Sequence, residues 1–213
     1  LDELARLKSG AAIGKDEWEM YDAMLRGGTA LGGEEPYITP QAFPSGQAID
    51  VGYIKPLVAV GANQGLTPWK VLEARRRFLA AYVDFDREDM VLAISSEEET
   101  QLLLSAEAAP NEAWAKVTLA WFEQRMGGNK DAKLMGFRVV NSERLATDSG
   151  TGIRTCVAFA KRAFCVSPIQ GIQTHIDVLP TKRHSIQVAA YAQFGAFRVF
   201  DEMVIKIPCD PSP

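Results

Sequence analysis

Three groups of residues in this 213-residue chain carry atoms that could do chemistry. The first is Val60-Gly-Ala-Asn-Gln-Gly-Leu-Thr67, a glycine-rich turn leading into a helix-start signal. Such a turn can cradle a phosphate, because its backbone N–H groups and the positive end of the helix converge on one anion. A nucleotide loop of that kind needs a lysine immediately before the Ser/Thr to reach the outer phosphates, and that position here is Leu66. The turn is therefore expected to cap a helix, and a small α/β enzyme using Gly61–Thr67 is the competing reading.

The second group is Cys156 and Cys165 with His175, a possible thiol nucleophile and base. The cysteines sit among Val, Ala and Phe, where a free thiol ordinarily packs as a small buried hydrophobe, so core packing is expected of them. The histidines, His175 and His184, fit neither the H-x-x-x-H nor the H-E-x-x-H spacing that puts two ligands on one helix face, and no metal or other cofactor is expected. The third group is Arg75-Arg76-Arg77, which could grip a phosphate backbone, pair with acids on a neighbouring subunit, or form a solvated helix face. Glu97-Glu98-Glu99 is explained by the helix dipole that it faces. No two carboxylates stand out as an acid/base couple, so no catalytic residue is assigned.

These groups must be positioned by recognisable elements. Leu1, Leu4 and Leu7, then Trp18, Tyr21 and Leu25, predict one broken helix or two over 1–26, and the glycines and prolines from Gly27 to Lys55 predict an extended loop. Leu57-Val-Ala-Val60 predicts a buried strand. Thr67 as N-cap and Pro68 at the first position open a helix to about Tyr82, with Val71, Leu72, Phe78, Leu79 and Tyr82 as its apolar face. Met90 to Ile94 is a strand, Ser96 to Glu99 is read as a capping box for a helix through Leu104, and Asn111 to about Arg125 is a helix with Trp114, Val117, Trp121 and Phe122 on one stripe. Strands follow at Gly136–Val140 and within 153–166, with Pro168, Gly171 and Pro180 expected to break the chain. Ile186 to Phe194 alternates with strand period and Met203, Ile205 and Ile207 repeat it, so the close is expected to be a bent hairpin or two strands with a bulge at Gly195. The middle of the chain is thus an α/β or α+β layer.

Composition narrows the partners. With 47% hydrophobic and 23% charged residues, the chain has the makings of an ordinary folded core. A net charge of −4 and an isoelectric point near 5.3 carry no basic footprint for gripping nucleic acid, and no apolar run approaches the ~18 residues of a membrane span. Three cysteines without a C-x-x-C pair fit a reducing compartment. The start at Leu1, with no signal-peptide pattern, is expected of a processed or partial chain.

Taken in order, several landmarks resemble the major capsid proteins of tailed bacteriophages. They are Trp18-Glu-Met-Tyr-Asp-Ala-Met-Leu-Arg-Gly-Gly-Thr-Ala30; Gly65-Leu-Thr67 leading into Leu72-Glu-Ala-Arg75; Ile94-Ser95 before Leu102-Leu103; Met135-Gly-Phe137 with Asn141-Ser-Glu-Arg-Leu145; and Gly195-Ala-Phe-Arg198 with Val204-Ile-Lys-Ile-Pro-Cys209. The resemblance implies an α+β capsid fold. A peripheral domain with a spine helix and a long sheet would comprise 1–56 and 181–213, with an axial domain inserted over 57–180. It also implies a structural, non-catalytic shell subunit, assembled in the host bacterial cytoplasm into the virion as hexamers and pentamers that enclose double-stranded DNA without sequence-specific binding. Portal, scaffold, maturation protease and decoration proteins are the implied partners, with no membrane. An encapsulin-like compartment, which shares the fold, is the nearest alternative.

Overall fold

The computed structural model describes residues 43–56, 61–109, 111–129, 131–179 and 185–210. The helix expected within 1–26, the loop from 27 to 42, the strand at Leu57–Val60 and His184 lie outside these residues.

The chain divides into two compact units, one taking in Phe164–Arg198 and the other Phe43–Ala163 with Val199–Pro213. The second holds a five-stranded mixed sheet in the order β2-β3-β1-β4-β7: β1 Met90–Ile94, β2 Lys133–Leu134, β3 Phe137–Asn141, β4 Arg154–Ala160 and β7 Val204–Cys209. β1 runs parallel to β3 and antiparallel to β4, and β4 is antiparallel to β7. Every residue of β1 is buried, as expected of a central strand covered on both faces.

Among the described residues three α-helices accompany the sheet: α1 Pro68–Ala80, α2 Ser96–Ala108 and α3 Ala113–Met126. α1 begins as its sequence predicts, with Thr67 Oγ1 accepting from the Lys70 N–H at 3.4 Å and Pro68 in the first turn. The capping box of α2 sits one residue earlier than expected: the N-cap is Ser95, whose N–H (3.1 Å) and hydroxyl both donate to Glu98. Two helices between β1 and the β2–β3 hairpin supply the crossover that parallel strands require. The hairpin turns on Met135 and Gly136, both at positive φ (52° and 95°), as a two-residue turn of mirrored hand demands. A Cβ on Gly136 would lie 2.8 Å from Arg75 Nη1 and 2.9 Å from Phe85.

Where the apolar stripes were expected to be continuous, the structure interrupts them. Phe78, Phe85 and Phe137 pack ring against ring at centroid distances of 5.2 to 6.2 Å. Leu79, however, is half exposed and Tyr82 lies beyond the end of α1, outside the core. On α3, Trp121 and Phe122 are buried while Val117 faces solvent.

The other unit's described strands are β5 Phe164–Leu179 and β6 Ser185–Arg198, an antiparallel two-stranded ribbon. Pro168 and Gly171 were expected to end the strand. Instead β5 runs through them, and their cost appears as register shifts between Pro168 and Gln170 and between Gln170 and Gln173. The bulge expected at Gly195 is absent, since Gly195 pairs in register with Ser167. The closing hairpin is likewise corrected: β6 pairs with β5, and β7 joins β4 in the other sheet. The compact units divide at 163/164 and 198/199.

Candidate functional site

The Gly61–Thr67 turn is built as a structural lock. Gln101 Oε1 accepts from the Leu66 N–H at 3.0 Å while Gln101 Nε2 donates to Asp210 O at 3.2 Å, so one amide ties the turn to the end of β7. A Cβ on Gly65 would lie 2.1 Å from Gln101 Oε1, so any side chain there must displace that amide. Lys70 is fully buried, and its Nζ donates to Gln64 O (2.8 Å) and Pro208 O (2.9 Å). Burial pushes its pKa down, as for any ammonium taken out of water. Lys70 thus holds two carbonyls, and one amide of the turn that could face a phosphate is already taken.

The thiols are not arranged for nucleophilic chemistry. Cys156 is buried on β4, and its hydrogen bond to Cys209, with burial second, raises its pKa well above the ordinary value, so the neutral thiol persists. Cys165, expected to be buried, is exposed. It lies ten residues from His175 on the same strand, a span of about 30 Å in extended chain. Among the described residues no group of His, Cys, Asp and Glu is placed to hold a metal ion.

The arginine triplet resolves into internal ties. Arg75 Nη1 donates to Met135 O, and its guanidinium stacks on Phe85 at 4.8 Å. Arg76 Nε and Nη2 both donate to Glu73 at 2.7 Å, and Arg77 Nε adds a third bond at 2.9 Å. Arg77 Nη1 also reaches Gly46 O and Ala48 O, each at 2.8 Å. That stretch covers the outer edge of β7, where the Ile49 N–H donates to Lys206 O at 2.9 Å. The hydrogen bonds from Arg76 hold the nearly buried Glu73 carboxyl at a pKa of about 2, against the opposing effect of burial. Of the three readings open for the triplet, a solvated face describes only Arg76, which alone of the three keeps a largely exposed side chain, 66%.

The acids of α2 also have more than a helix dipole to face. Arg154 Nη1 lies 3.1 Å from Glu143, 3.4 Å from Glu97 and 3.9 Å from Glu98. Arg125 Nε lies 3.3 Å from Glu99, and its Nη1 donates to Val139 O at 3.3 Å. These pairings join α2 and α3 to β3 and β4 and had no local signature in the sequence.

Lys70, Glu73, Arg75, Arg77, Arg125 and Arg154 are thus engaged in contacts within the fold. Residues 3–211 match the family described as phage capsid protein, and the chain belongs to that family. No curated protein matches it. Among solved structures it is similar to one from Mycobacterium phage Che8, at TM-score 0.58 and 18% identity, covering 97% of this chain and 62% of that one. It is similar to the capsid of Ralstonia phage GP4, at TM-score 0.61 and 14% identity, with 92% and 64% covered. The capsid of cyanophage P-SCSP1u matches at TM-score 0.52 and 15% identity, with 91% and 60% covered. The chain therefore has the tailed-phage capsid fold, and it spans a little over three fifths of the first two of these chains.

Proposed function

We propose that this protein is a shell subunit whose copies associate as hexamers and pentamers and close into an icosahedral phage head around double-stranded DNA. The observation that carries this reading is the family match along nearly the whole chain. The chemistry is consistent with it, since the ionic groups described above are spent on internal contacts. The mixed-sheet unit is assigned as the axial domain and the β5–β6 ribbon as part of the peripheral domain, with boundaries following the compact units.

The function is mechanical. A closed shell is stabilised by repetition: an interface of a few kcal/mol, made by every copy, holds the whole while letting misplaced subunits leave. A net charge of −4 suits a wall past which DNA must move, because a strongly basic lining would hold the duplex by counterion release. Portal, scaffold, maturation protease and decoration proteins are the partners such a subunit would meet, in the host cytoplasm during assembly and in the virion afterwards.

The test is cryo-electron microscopy of full-length protein expressed with its neighbouring phage genes. The expected result is icosahedral particles, DNA-filled when the packaging machinery is present. Particles filled with enzyme cargo and lacking a portal vertex would favour the compartment reading instead.

A further inference from the structure

The C-terminal end of α1 carries a residue that the fold itself does not need. The Tyr82 N–H donates to Leu79 O (3.1 Å) and the Val83 N–H to Phe78 O (3.0 Å), the paired bonds of a helix stop that forces the intervening residue into the left-handed region. Tyr82 accordingly has φ +60°, where glycine is favoured because a larger side chain crowds the following carbonyl. The strain is not offset by packing: Tyr82 is 97% exposed, and its neighbour Leu79 is 52% exposed. Its ring has no aromatic or hydrogen-bonding partner among the described residues. A strained, solvated aromatic points to a role outside the subunit.

The surface beside it has a shape and charge that fit one kind of partner. Tyr82 borders an open depression of about 540 Å³ whose walls include Gly46, Gln47, Arg76, Ala80 and Glu202. Arg76 presents a largely exposed side chain there, its guanidinium bonded along one edge to Glu73, and Glu202 is exposed with no ion-pair partner among the described residues. Knob, hollow, cation and anion therefore lie on one surface. That is the composition of a self-complementary patch, in which a twofold rotation lays each copy's knob in the other's hollow and brings unlike charges together. Tyrosine and arginine are also the residues on which contact energy concentrates. A nucleic acid fits less well, because Glu73 and Glu202 together balance Arg76 and Arg77 and leave the surface no net positive charge for phosphates.

We propose that Tyr82 and the hollow beside it form a twofold contact with the same surface of a second copy of this chain. The proposal rests on the shell-subunit reading and names one of its contacts. It is tested on full-length protein by measuring the concentration at which particles form, with the melting temperature of the unassembled subunit read alongside. Tyr82→Gly and Tyr82→Asn both accept the left-handed backbone. Each is expected to melt at or above the wild-type temperature yet to need at least about tenfold more protein to assemble. Glu202→Lys should raise the threshold in the same direction, and Tyr82→Phe should leave it within about threefold. Assembly of the Gly and Asn variants at the wild-type threshold would overturn the contact, as would a fall in melting temperature that tracks the loss of assembly. Wild-type protein that never assembles would instead overturn the shell reading on which the contact depends.

Discussion

The mixed sheet and the two-stranded ribbon obtain their order in opposite ways. In the sheet unit a central strand is buried along its whole length, Phe78 of α1 interlocks with Phe85 and Phe137, and Lys70, Arg77 and Arg154 fasten helices to loops and strands. Its exposed edge at β7 is covered by residues 48 and 49, and Arg125 occupies a carbonyl of β3. The ribbon has two strands of 16 and 14 residues, and of its described side chains Gln173, Thr174, His175, Ile176, Ile186 and Gln187 are exposed. Two strands by themselves are marginal in water. The sheet unit therefore carries its own core, while among the ribbon's described side chains only Val188, Ala196 and Arg198 are buried.

The largest break in that contrast comes from the aromatic cluster. Phe78→Ala, in a fully buried position, should cost the unassembled subunit about 3–5 kcal/mol, read as a shift in urea midpoint. Next is Glu73, whose carboxyl falls from an ordinary 4.5 to about 2, worth about 3 kcal/mol at pH 7. Because its folded pKa is depressed, this stability is fully present above about pH 5 and is lost as pH falls toward 2; Glu73→Gln should flatten that part of the stability profile. Gly65→Ala should cost about 1–3 kcal/mol by dislodging Gln101 from Leu66 and Asp210, leaving buried polar groups unpaired. The smallest effect belongs to the ribbon: Ile186→Ala, half exposed, should change the stability of the unassembled subunit by no more than about 0.5 kcal/mol. A ribbon substitution as costly as Phe78→Ala would erase the distinction between the two regions.

Local signals were legible wherever chemistry between near neighbours decides the outcome. Thr67 and Pro68 announce α1, the alternation of Ile186 to Phe194 announces β6, and the apolar run Met90 to Ile94 announces β1. What the sequence hid depends on distant partners. Pro168 and Gly171 look like breakers, yet a long pairing with β6 absorbs them as register shifts. The last two strands look like a hairpin because both alternate, but β7 is claimed by β4, whose residues lie some fifty positions earlier. Arg75-Arg76-Arg77 looks like a charged face because its acceptors, Met135 O, Gly46 O and Ala48 O, are remote, and only Glu73 is near in sequence. Tyr82 fitted the apolar period of α1, and nothing local marked it as the residue where the helix would stop.

The central claim, that this chain is a tile made to join copies of itself, is tested most directly by sedimentation velocity on full-length protein over a wide concentration range. The account predicts a sharp passage from small oligomers to uniform large particles above a threshold concentration. A single slow boundary at every concentration, with the phage's other assembly proteins present, would contradict it.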